Sequence, residues 1–89
     1  MHKTAVVILN WNGLGFLKKF LGTIVQNSSS PDTIVCVADN GSTDGSVEWV
    51  RSEMKEVKVL ELGSNLGFAG GYNKALELID ASYFVLLNS

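Results

Sequence analysis

Apolar, largely β-branched runs recur along this chain, and between them lie segments in which apolar residues return with the period of a helix. That alternation leaves few folds open. Strands joined by helices run parallel, because a crossover helix carries the chain back to the same end of the sheet, and such crossovers are right-handed. Each join carries Gly, Asn, Ser or Asp, the residues that turn the chain and cap helices.

Residues Thr4 to Trp11 (TAVVILNW) read as a first strand, apolar on both faces as a strand inside a helix-covered sheet must be. Asn12 is a suitable N-cap for a first helix, in which Leu14, Leu17, Phe20 or Leu21, and Ile24 share one face, ending near Gln26. Lys18 and Lys19 mark the opposite face. Thr33 to Asp39 (TIVCVAD) is a second buried strand, and Ser42, Thr43 and Asp44 offer caps for a helix running to about Met54. In the third strand, Val57 to Leu62, Lys58 and Glu61 interrupt the apolar residues, which marks a sheet edge. A glycine-rich loop, Ser64 to Gly71, then leads into a helix with Tyr72, Leu76 and Ile79 inward, and Tyr83 to Leu87 (YFVLL) is a fourth strand.

This order implies an α/β fold, a doubly wound parallel sheet with strand order 3-2-1-4. The direction of winding reverses between strands one and four, and ligands of such sheets bind in the crevice opened there, at the carboxyl ends of the strands. The unusual polar and glycine residues fall at those ends: Asn10 and Asn12, Asp39 and Asn40, Gly63 to Asn73, and Asn88.

Composition narrows the partners. A formal charge of −2 with scattered lysines gives no basic stripe, so nucleic acid is excluded as a partner class. Hydrophobic residues make up 46% and charged residues 18% of the 89, rich for a small domain, so some apolar surface expects a partner. Cys36, the single cysteine, lies in an apolar run and reads as a buried thiol of a reducing, cytoplasmic compartment. No apolar run reaches the ~20 residues of a membrane span, and no basic segment followed by an apolar stretch opens the chain.

Two readings stand for Asp39. It can accept the N3 hydrogen of a uracil or thymine, or a ribose hydroxyl, with backbone groups of Ile8, Leu9 and Asn10 flanking the base; or it can cap its own turn to Gly41. Glycines in Gly67, Phe68, Ala69, Gly70, Gly71 let backbone approach a ligand at a helix start, where free N–H groups favour a diphosphate. A tight strand-to-helix turn is the alternative, but paired glycines in a first helical turn cost about 1 kcal/mol each relative to Ala. Asn73 can donate to a sugar or phosphate oxygen or bond the loop. Trp11 and Phe68 can stack on a base or fill the core.

The strings VVILNWNG, VADNGSTDG, GSNLGFAGGYNKAL and FVLLNS, in this order and over the whole chain, resemble the start of the family 2 inverting glycosyltransferases of the GT-A fold, especially the rhamnosyltransferase-like branch. The resemblance implies that residues 1–89 are the nucleotide-sugar-binding N-terminal part of a glycosyltransferase domain. It implies a nucleotide-diphospho-sugar donor, with Asp39 and Asn40 near the nucleoside and Asn65, Gly67, Phe68, Gly71 and Asn73 near the donor, and a glycan or lipid-linked acceptor at the inner face of a membrane. It also implies Mg²⁺ or Mn²⁺ held by an acidic Asp-x-Asp-type motif after the fourth strand. Here Asn88 takes the first position of that motif and Ser89 is the last residue, so the expectation is a binding piece with no metal ligands or catalytic residues of its own.

Two other classes compete. A dinucleotide-dependent oxidoreductase would use Gly13-Leu14-Gly15 after strand one and an acid after strand two, but Lys18 stands where that fingerprint needs its third glycine. A non-catalytic nucleotide-binding module is the third. The uncharged fourth strand, Tyr83 to Leu87, predicts self-association along that edge.

Overall fold

A computed structural model describes the chain from His2 to Ser89. Its elements follow the order β1 (His2–Asn10), α1 (Leu14–Asn27), β2 (Thr33–Asp39), α2 (Ser46–Glu53), β3 (Lys58–Glu61), α3 (Gly67–Leu78) and β4 (Ala81–Asn88). The strands form one parallel sheet in the order β3-β2-β1-β4. This is the doubly wound arrangement the alternation predicts, with the long apolar strands β1 and β2 inside and the Lys58-bearing strand at an edge.

Alternate residues of β1 and β2 feed two separate cores. Ala5, Val7 and Leu9 with Cys36 and Ala38 pack under Tyr72, Ala75 and Ile79 of α3. Val6, Ile8, Val35 and Val37 pack under Leu17 and Leu21 of α1 and Val50 of α2. One helix therefore covers one face and two cover the other. Leu17 and Leu21 have no exposed surface, and truncating either to Ala should cost about 2–5 kcal/mol. Of the two residues the helical period left open, Leu21 faces the core and Phe20 faces outward beside Phe16.

The first helix starts differently from expectation. Asn12 takes a left-handed φ of 52° and lies before the N-cap, which is Gly13. Its side chain turns away from α1 and accepts the backbone N–H of Thr43 at 2.8 Å. Gly13 fits because a Cβ there would stand 2.5 Å from both Asn10 Oδ1 and Ser89 Oγ. The close approach at this glycine is thus to the protein's own strands.

Candidate functional site

At the carboxyl edge of the sheet, the loops after β1, β2 and β3 are bound to one another by side chains. Asn40, 3% exposed, clamps the start of α3: its Nδ2 donates to the Gly67 carbonyl at 3.0 Å and its Oδ1 accepts the Leu66 N–H at 2.9 Å. Asn65 Oδ1 accepts the Gly67 N–H at 2.8 Å. Gly67 has a φ of 75°, a region that favours glycine, and so bends the chain into the helix. Gly71 lies where a Cβ would come within 2.7 Å of Leu9 Cδ1 and 3.0 Å of Asn40 Nδ2. Its small size lets α3 settle onto β1.

Asp39 is 3% exposed and held by its neighbours. Oδ1 accepts from Asn10 Nδ2 at 2.9 Å and from Ser42 Oγ at 2.7 Å, and Oδ2 accepts the Ser42 N–H at 2.9 Å. The turn-capping reading of Asp39 is therefore present in the geometry. One lone pair of Oδ2 remains for a ligand, because an ionised carboxylate offers about four acceptor sites.

Between β1 and β4 a crevice of about 300 Å³ is lined by Leu9, Trp11, Asn40, Asn65, Gly67, Phe68, Asn88 and Ser89. It lies at the reversal of strand order. Of the residues singled out in the sequence, Leu9, Trp11, Asn40, Asn65, Gly67, Phe68 and Asn88 meet in it. Asn10 and Asp39 are buried beside it, whereas Asn73 points to solvent on α3 and Ile8 is a core side chain whose backbone alone reaches the edge. Trp11 and Phe68 are 55% and 63% exposed, so neither fills the core; Phe68 stands edge-on to Tyr72 with ring centroids 5.0 Å apart. Ser89 was not singled out, since a serine at a strand end carries no pattern of its own. It bonds the Leu9 carbonyl and Asn10 Oδ1 at 3.2 and 2.8 Å.

The two glycine-flanked helix starts differ in charge. The Leu14 N–H of α1 already donates to Asp44 Oδ2 at 3.0 Å. Burial opposes ionisation of Asp44, but hydrogen bonds from the Ser46 hydroxyl and from backbone N–H groups, Leu14 among them, outweigh it and hold its carboxyl below the ordinary 3.8. α3 has no acidic residue in its first turn, and the side chains that bond its first N–H groups, Asn40 at Leu66 and Asn65 at Gly67, are neutral amides. Its positive end, unlike that of α1, holds no carboxylate already. Burial raises the Tyr72 phenol above its ordinary value, with a backbone hydrogen bond opposing, so this ring stays neutral beneath the loop.

Among the described residues no group of three or more His, Cys, Asp or Glu side chains converges. Asn88 and Ser89 add only neutral oxygens, and these residues do not by themselves fit a divalent metal, which prefers carboxylates. No helix among the described residues is long and apolar enough to cross a membrane.

Comparison with known proteins agrees with this architecture. The chain is 28% identical over its whole length to a teichoic acid poly(glycerol phosphate) polymerase of Staphylococcus epidermidis, and spans 13% of that protein. It is 30% identical over 71 residues, 80% of its length, to an N-acetylglucosaminyl-diphospho-decaprenol L-rhamnosyltransferase of Mycobacterium tuberculosis, of which it spans 23%. In fold it matches the crystal structure of S. aureus TarS with a TM-score of 0.80 at 22% identity, over 97% of this chain and 16% of that one. The profile described as glycosyl transferase family 2 matches residues 5–89, and the chain belongs to that family.

Proposed function

We propose that the carboxyl edge of this sheet binds the nucleotide-diphospho part of a UDP- or dTDP-linked sugar, and that the protein carrying these residues transfers the sugar to a glycan or lipid-linked acceptor. The contrast between the two helix starts carries this reading. A diphosphate is drawn to open N–H groups at a helix N-terminus. At α3 the Leu66 and Gly67 N–H groups are held by neutral amides, and those of Phe68 and Ala69 remain, beside the crevice and without an acid in the first turn. Trp11 and Phe68 offer exposed rings at its mouth for a base or sugar. The names of the relatives, a rhamnosyltransferase and a polymerase of glycerol phosphate, support transfer onto a carrier or growing polymer.

The same contrast disfavours the oxidoreductase. A dinucleotide would set its pyrophosphate on the start of α1, where Asp44 already supplies an anion. A Cβ at Gly15 would meet nothing within 4 Å, so this glycine serves no close approach.

These residues hold no catalytic group of their own in this reading, and the 89-residue chain is expected to transfer no sugar, with or without Mn²⁺. A metal, where the longer protein uses one, would supply charge neutralisation for the departing diphosphate. Action on the cytoplasmic side of a membrane fits a lipid-linked acceptor. Self-association through Tyr83 to Leu87 belongs to the same proposal.

Backbone NMR with UDP, dTDP and NAD tests the reading. Expected are shifts at Leu9, Asn10, Asp39 and Gly67 to Gly71 with UDP or dTDP, and millimolar affinity, about −4 kcal/mol. NAD binding without a response to either nucleotide would overturn it.

A further inference from the structure

We propose that Asn10 is a positioning residue of the nucleotide site: its side-chain amide holds the Asp39 carboxylate in one orientation and leaves Oδ2 as the oxygen that accepts from a bound base or ribose. The inference rests on the nucleotide-sugar reading and deepens it, because the side chain of Asn10 touches Asp39 and not the crevice.

Asn10 is fully buried at the end of an apolar strand, where a polar side chain must find partners. It finds them on both ends of its amide. Nδ2 donates to Asp39 Oδ1 at 2.9 Å and to Ser42 Oγ at 3.2 Å. Oδ1 accepts from Ser89 Oγ at 2.8 Å. Reversing the amide would set its oxygen against a carboxylate oxygen, so the Asp39 contact fixes the orientation. The Gly13 backbone closes the remaining space, since a Cβ there would lie 2.5 Å from Asn10 Oδ1. With Asn10 and Ser42 occupying both lone pairs of Asp39 Oδ1, and only the Ser42 N–H on Oδ2, the spare acceptor lies on Oδ2.

The titratable group that Asn10 bonds is Asp39; Asp44, the other acid of that loop, is bound to Leu14 and Ser46. Asn10→Asp thus sets two carboxyls side by side. A protonated carboxyl at position 10 can still donate to Asp39 Oδ1, whereas an ionised one repels it. UDP affinity of Asn10→Asp, taken at each pH as a ratio to wild type so that the phosphate's own titration cancels, should fall about tenfold between acid and mildly alkaline pH, the worth of a hydrogen bond to a charged group. Asn10→Ala, which removes the donor without adding charge, should bind about tenfold more weakly with a ratio that stays flat across pH. Thermal unfolding of each variant is followed at the same pH values. A flat ratio for Asn10→Asp, or a loss of binding that only tracks loss of folded protein, overturns the positioning role. Should Asn10→Asp not fold, Asn10→Ala decides: wild-type affinity overturns the proposal and the weaker binding supports it. Wild type that binds neither UDP nor dTDP overturns the nucleotide reading itself, and this inference with it.

Discussion

The carboxylate of Asp44 ties together two helices: its Oδ2 accepts the Leu14 N–H at the start of α1, and its Oδ1 accepts the Ser46 N–H at the start of α2, both at 3.0 Å. One side chain thus satisfies donors that each helix leaves without an internal partner, and its negative charge suits both positive ends. Asp44→Ala should lower stability by about 2 kcal/mol, measured by urea unfolding at neutral pH. Because the folded-state value of Asp44 is depressed, its contribution is complete above the ordinary 3.8 and is lost as pH falls through the lower folded value. Wild type and Asp44→Ala should therefore converge in stability in acid. A gap that stays constant down to strongly acidic pH would show that the charge of Asp44 is not what ties the helices.

Two glycines of equal prominence in the sequence should respond oppositely to alanine. Gly71→Ala places a Cβ against Leu9 and Asn40 at 2.7 and 3.0 Å, an overpacking that should cost about 1–3 kcal/mol. Gly15→Ala meets nothing within 4 Å and removes backbone freedom from α1, so it should stabilise by about 0.4–1 kcal/mol. Thermal unfolding of both single variants checks the pair, and a stabilised Gly71→Ala would contradict the close packing of α3 on β1.

The amide of Asn40 is spent on the backbone of Leu66 and Gly67. Asn40→Ala should release the start of α3, raising hydrogen exchange at Leu66 well above wild type and weakening nucleotide binding, while exchange in β1 stays slow. Unchanged exchange at Leu66 would mean that the loop holds its shape without the clamp.

Sheet order was legible because it leaves marks on residue type. Charges at Lys58 and Glu61 can only be accommodated at an edge, and unbroken apolar runs such as Val6 to Leu9 require cover on both faces. The polar lock at the sheet edge left no such mark. Asn12 looks like a helix cap by position, yet it bonds Thr43, and Asp44 reaches Leu14 across 30 residues. Such bonds depend on where tertiary packing sets two loops, and no period in the sequence carries that information. The same holds for Asn40, whose bonds to the backbone of Leu66 and Gly67 exist only because the fold brings that loop against it. Phe20 and Leu21 were indistinguishable by period alone; the rotation of α1 on the sheet, fixed by Leu17, decided between them.

The two edges of the sheet are unlike, and from that difference we expect the 89-residue chain to self-associate. At one edge β3 carries Lys58 and Glu61, and Glu61 is paired with Arg51 at 2.9 Å, charges that discourage a foreign strand. At the other, Ala81 to Asn88 holds no charged residue and β4 is hydrogen-bonded to β1 alone. Both faces of β4 are also poorly covered. Tyr83 is 63% exposed, Val85 47% and Leu86 45%, and beside them a groove of about 430 Å³ runs between Phe16, Phe20 and Ile24 of α1 and Leu87 of β4. A strand with free backbone groups on one side and apolar side chains above and below is a template for pairing, and such surface seldom stays exposed on a monomer. Sedimentation velocity over a range of concentrations should show dimers or larger species. Val85→Lys, which adds a charge to the exposed face without touching the β1 ladder, should return the chain toward the monomer, whereas Lys19→Glu on the outer face of α1 should not. A wild-type chain that sediments as a monomer at every concentration would sink the expectation, and so would association that Val85→Lys leaves unchanged.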